Sequence, residues 1–237
     1  MHKGEICMKK KFVITFLALT IASSSVIYAA DTADNVATES TTSDSSTKET
    51  SEYDLTEIET NDLVKIVKDK ITTQYLNVYQ IDPATFTIPA YTPCTLDKDS
   101  LDNPWSVVRI VLQGGFINPE VYLPQYVMTA VVAGSDDMGI SSIKGFLESG
   151  DLVFKNTFQE QAPHMYESIT DSNPEQAALI GAIYEGIAEF LNSLDTDRCA
   201  EVLFAREKAV IDAGEDENFA DLQTMFDPII EKNISFE

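Results

Sequence analysis

Beyond Leu55, apolar residues recur mostly at three- and four-residue steps, the spacing of one face of a helix. The clearest stretch follows Asn173-Pro174, where Ile180, Ile183, Ile187, Phe190 and Leu194 share a face about five turns long. Cys199, Val202, Leu203 and Ala209 predict a second helix, and Phe219, Leu222, Phe226 and Ile229 a third, together an antiparallel bundle. Near the front, Ile58, Leu63, Val67, Ile71 and Tyr75 give one more amphipathic helix.

Punctuation along the chain refines this reading. Asn103-Pro104, Asn118-Pro119 and Asn173-Pro174 each set a capping side chain before a proline suited to the first helical turn. Trp105 to Gln113 then runs to a Gly114-Gly115 stop. Its Val107, Val108, Ile110 and Val111 would suit a buried strand equally, but cap and stop together favour a helix with Trp105 in the core. After Asn118, Pro124 forces a restart that runs to Val132 and ends before Gly134. Gly139 to Glu148, closed by Gly150, predicts another short helix. Residues Val78 to Asp99, with Pro83, Pro89, Pro93 and the alternation Phe86-Thr-Ile88, read as extended chain or a small hairpin. The expected fold is mainly α: a compact bundle of about six to eight helices with one irregular, Pro-rich extended segment.

The front of the chain lies outside this pattern. Lys9, Lys10 and Lys11 precede the apolar run Phe12 to Ile21, and small residues follow as far as Ala29 and Ala30, which predicts a secretory signal peptide over residues 1–29. The alternative is an uncleaved anchor from Phe12 to Ala30. Residues 31–51 hold Ser or Thr at 11 of 21 positions, so 30–54 reads as a disordered acidic tether ahead of one domain at 55–237.

Charge then narrows the partners. The chain has 16 basic and 39 acidic residues, a formal charge of -23, and removal of residues 1–29 leaves 12 and 38, a charge of -26. Such a field repels nucleic acid and anionic membranes and favours cationic partners. No apolar stretch after Ala30 reaches the length of a spanning helix, because Pro124, Glu185 and Glu189 interrupt the best ones.

Few residues offer chemistry. Cys94 and Cys199 are the thiols left after cleavage, and in an oxidising compartment they are expected to form a disulfide, or else to stay as buried free thiols. His164 is the sole histidine of the mature chain and reads as a helix start or turn beside Pro163. Ser141 and Lys144 match the SxxK spacing, one helical turn apart, but Ser45 and Lys48 in the tether match it too, and the companion KTG element is missing. The acidic groups Asp97, Asp99, Asp102 with Asn103, and Asp212, Glu215, Asp216, Glu217 with Asp221, lack the alternation of a calcium loop and read as solvated charge. No metal site and no cofactor is expected. Asn233-Ile-Ser235 is a formal glycosylation sequon.

These features predict an exported, non-enzymatic α-helical binding module, periplasmic or extracellular. It would act on a protein partner, cationic in character, through exposed anchors such as Tyr122, Tyr126 and Tyr166. One alternative is a secreted hydrolase using carboxylates or Ser141 with Lys144. Another is a small-ligand or chaperone-like protein with a cavity beside Gly181 and Gly186, two glycines whose simpler role is close helix packing.

Overall fold

The computed structural model describes residues 53–90, 103–113, 123–212 and 226–236. Helices dominate, with no strand among the described residues, and the chain is a mainly α-helical bundle. The expected signal peptide, most of the tether, Cys94 and residues 91–99 of the Pro-rich segment lie outside the described residues. Of that segment, Pro83–Thr85 forms a 3-10 turn, and residues 86–90 follow without regular structure in place of the hairpin alternative.

Helix α1 (Glu57–Ile71) starts at a capping box: Thr56 Oγ1 accepts from Glu59 N–H, and Glu59 Oε2 accepts from Thr56 N–H at 2.8 Å. Its buried stripe is Leu63, Val67 and Ile71, spaced by four. In a helix of 3.6 residues per turn such spacing rotates the stripe by about 40° per step. The chain absorbs the drift in a π turn, Thr72–Leu76, where Asn77 N–H reaches back five residues to Thr72 O. Tyr75 and Leu76 are thereby both buried, and a last turn, α2 (Asn77–Tyr79), ends at Gln80 in the left-handed region, φ 55°. Ile58, expected on the core face, is instead 74% exposed, because its position five residues before Leu63 turns it about 140° away from the buried stripe.

Helix α3 (Pro104–Gln113) is capped by Asn103 Oδ1, which accepts from Trp105 N–H, so the helix reading of Val107 to Val111 holds over the strand. Trp105 is fully buried and donates its indole N–H to Pro89 O. Helices α4 (Leu123–Ala133) and α5 (Asp136–Ser149) follow, joined by Gly134 at φ 66°, and α5 ends at Gly150, φ 77°, where glycine carries no Cβ penalty. After a short turn, α6 (Phe158–Gln161), helix α7 (Pro163–Ser172) starts at the proline beside His164 as the sequence predicts.

The centre of the bundle is α8 (Pro174–Ser193), capped by Asn173. It is buried around most of its circumference, Leu179, Ala182, Tyr184 and Leu191 included, so the single-face expectation was too narrow. It packs against α1, α3 and α7. Tyr184 donates its hydroxyl to Lys155 O at 2.8 Å and Gln161 Oε1 at 2.9 Å, and Asn192 donates to Phe154 O, which ties the irregular stretch after α5 to this core.

Helix α9 (Thr196–Asp212) packs on α5 and α4. Cys199, Val202 and Leu203 are buried as expected, but Ala209 is exposed, the buried face having turned away by then. In α10 (Phe226–Asn233), Phe226 is buried and Ile229 half-buried; Phe219 and Leu222 lie outside the described residues. Arg198 joins α9 to α1: Nε and Nη2 donate to the two carboxylate oxygens of Glu59 at 2.8 and 2.9 Å, while Nη1 reaches Glu201 and Nη2 also reaches Asp54 O.

Candidate functional site

Helix α4 differs from the rest of the molecule in composition. Its eleven residues carry no charge, in a chain where 23% of residues are charged. Leu123, Val127 and Ala130 point into the core at steps of four and three. The opposite side presents Val132 at 84% exposure and Met128 at 47%; Tyr126, 39% exposed, sits at the flank next to the core stripe, and Met138 in the first turn of α5 is 41% exposed. Four of the seven large hydrophobic side chains exposed among the described residues thus fall between 126 and 138.

The face is held rigidly from below. Gly139 lies directly against the Phe204 ring and Ala130 Cβ, so α5 approaches α4 and α9 without an intervening side chain. Tyr126 meets the Phe146 ring edge-on at 5.0 Å. At the corner, Ser135 N–H bonds Ala130 O and its hydroxyl accepts from Met138 N–H, which fixes Met138 beside the end of α4. Acidic groups edge this corner: Asp137 is exposed, and Asp136 accepts from Lys208 at 2.7 Å. An uncharged centre carrying Met and Tyr with a charged edge is the usual composition of a protein interface.

The residues considered for hydrolysis, Ser141 and Lys144, take these places. Ser141 and Lys144 sit on α5, where Ser141 is exposed and Lys144 points to Asp197 of α9 and, at 3.9 Å, to Glu148. The hydrogen bond and charge of Asp197 hold the Lys144 ammonium above its ordinary pKa, opposite to what a lysine base requires. His164 is exposed at the start of α7. The cavity sought beside Gly186 is filled by Val67, and Gly181 faces Phe158 at an ordinary 3.9 Å. Tyr166 is half-buried edge-on to Phe158 at 5.5 Å, and Tyr122 lies outside the described residues.

Of the acidic groups, Asn103 is a helix cap and Asp212 ends α9, while Asp97, Asp99, Asp102, Glu215, Asp216, Glu217 and Asp221 lie outside the described residues. Among the described residues no group of three potential ligands could hold a metal ion, and no helix is long and apolar enough to cross a membrane. Cys199 is a buried free thiol among the described residues, its pKa pushed up to about 12 by burial; its expected partner Cys94 is outside them. Asn233 spends its amide donor on Ile229 O at 2.7 Å.

Two features escaped sequence reasoning. A polar groove of about 540 Å³ runs along α1 beside α8, lined by Asp62, Lys65, Asp69, Thr73, Gln74 and Glu189 among others. Internal pairs cross it, Lys70 to Glu189 at 2.9 Å, with Gln74 donating to Glu185 at 2.8 Å nearby. The second is a buried charged set, Arg109, Arg206, Glu207 and Asp227, contributed by α3, α9 and α10. Arg206 Nη1 donates to Glu207 at 2.9 Å and its guanidinium lies over the Phe226 ring, while burial drives the Glu207 carboxyl upward. Arg109 inside Trp105 to Leu112 was the visible signal, a charge within an apolar run. Comparison with known proteins adds no relative: no family model, no curated protein and no solved structure matches the chain.

Proposed function

We propose that this chain is an exported, non-enzymatic binding module that engages a protein partner through the face formed by α4 and the start of α5. The observation that carries the reading is the exposure of Tyr126, Met128 and Val132 on the charge-free α4, with Met138 exposed in the first turn of α5. Leaving a Val side chain in water forgoes roughly 1.5 kcal/mol of burial, so a concentration of such exposures supports a use in binding. Export rests on the lysines Lys9 to Lys11 and the apolar run behind them, with the tether 30–54 leading into the domain.

The test places a photo-crosslinking residue at Val132 in the full chain, expressed with its own leader in its source. A single stoichiometric adduct, lost when Met128→Asp is added and kept with Glu167→Gln on α7, is the expected result. No adduct, or adducts indifferent to Met128→Asp, would overturn the docking face. N-terminal sequencing of the exported protein is expected to start at Ala30.

A further inference from the structure

Resting on that docking face, we infer that its occupant is a basic amphipathic helix of the partner, lying along α4 with apolar anchors against Met128 and Val132 and lysine or arginine on its flanks. Three observations select this occupant. Peptide recognition by strand addition needs an open sheet edge, and the described residues contain no strand. Proline-rich ligands need an aromatic-lined groove, whereas Tyr126 is the sole aromatic of α4 and its ring is packed on Phe146. Helix on helix remains, and α4 suits it: Met128 and Val132 are one turn apart and form a ridge, with the smaller exposed Thr129 and Ala133 alongside as the recess for a neighbour's side chains.

Charge decides between a foreign helix and a second copy. Each exported copy carries a formal charge of -26, and the edge of the face holds the exposed Asp137 beside Asp136, which is paired with Lys208, so self-association through α4 brings like fields together. A basic helix meets the opposite sign at the edge and no desolvated charge at the centre, because α4 has none to bury.

The probe is a synthetic peptide about four turns long with leucine at i, i+3, i+4 and i+7 and lysine elsewhere. Its binding to the full exported chain is followed by fluorescence anisotropy at low and moderate salt. A scrambled peptide of equal charge reports the field alone, and a glutamine-for-lysine version reports the apolar face alone. We expect the leucine-lysine peptide to bind at least about tenfold more tightly than either control. Val132→Asp, which adds a negative charge and would strengthen a purely electrostatic encounter, is expected to weaken it at least about tenfold, while Glu167→Gln changes it less than about twofold.

Equal binding of the scrambled peptide, or indifference to Val132→Asp, overturns the inference. So does a concentration-dependent dimer at high salt that Val132→Asp dissolves, which assigns the face to a second copy. The crosslinking at Val132 keeps the two claims apart. An adduct to a protein without a basic helix retains the docking face and sinks this occupant, whereas absence of any adduct sinks both.

Discussion

Gly186 of α8 and Val67 of α1 are so close that a Cβ on Gly186 would stand 2.7 Å from Val67 Cγ2 and 2.8 Å from Val67 Cα. The methyl carbon could rotate away, but the Cα belongs to the backbone of a packed helix. Gly186→Ala therefore overpacks the central contact and is expected to destabilise by about 1–3 kcal/mol, more than the roughly 1 kcal/mol alanine gains in helix propensity. Gly145 on α5 has nothing within 4 Å of its Cβ position, and Gly145→Ala should stabilise by up to about 1 kcal/mol. Urea unfolding of the two variants checks the opposite signs; two stabilised variants would show that α1 and α8 are not in this contact.

The Glu59–Arg198 pair predicts an acid sensitivity. The hydrogen bonds of Arg198 lower the Glu59 carboxyl from 4.5 to about 2. A depressed carboxylate stabilises the fold above its unfolded pKa and loses that contribution as pH falls, here from about 4.5 toward about 2. Glu59→Gln keeps a capping-box side chain while removing the charge. It should cost about 1 kcal/mol at neutral pH, the upper end for a partly exposed pair, and flatten the stability profile in that acid window. An unchanged profile would show that the pair contributes nothing.

Burial makes the Cys199 thiol unreactive. With its pKa pushed up to about 12, almost no thiolate exists at pH 8, and the side chain is also shielded. In protein folded under reducing conditions, iodoacetamide should leave the Cys199 peptide unmodified until denaturant is added. Oxidised protein that labels in denaturant only after reduction would establish a disulfide, with mass spectrometry identifying Cys94 or another chain as the partner.

Lys144 sets an outcome for serine chemistry. Its ammonium is paired with Asp197, which raises its pKa above the ordinary value and disfavours taking a proton from Ser141. A fluorophosphonate probe at neutral pH should leave Ser141 unlabelled, in native chain and in Asp197→Asn alike. Labelling of Ser141 that disappears in Lys144→Met would restore the hydrolase reading.

The helices were legible where local signals agree. Asn173 before Pro174, Asn103 before Pro104 and Gly150 after α5 are caps whose geometry is set within four residues, and each appears where predicted. Burial was less legible, because it depends on neighbours. Ile58 lies about 140° around α1 from Leu63 and so falls off the stripe by spacing alone, whereas α8 lies centrally enough to bury residues on several faces, which its periodicity does not show. The apolar exposure of α4 was hidden for the same reason. Met128 and Val132 read as core by composition, and only the packing of α4 through Leu123, Val127 and Ala130 leaves them outside. Of the tyrosines named as anchors, Tyr126 is 39% exposed with its ring edge-on to Phe146, and Tyr166 is half-buried edge-on to Phe158.

The π turn after α1 holds slack in the chain. One wide turn accommodates a residue that a regular helix would not, while Leu63, Val67 and Ile71 before it, Tyr75 and Leu76 at its end and Tyr79 after it each keep their own place. A single deletion there, of the exposed Thr73 for instance, rewinds the turn to ordinary pitch and leaves both halves facing as before. The same deletion at Lys65 would swing everything beyond it by about 100° and pull Val67 from Gly186. Along this helix, Thr72–Leu76 is where a change of length can be absorbed, and the stretch facing Gly186 is where it cannot.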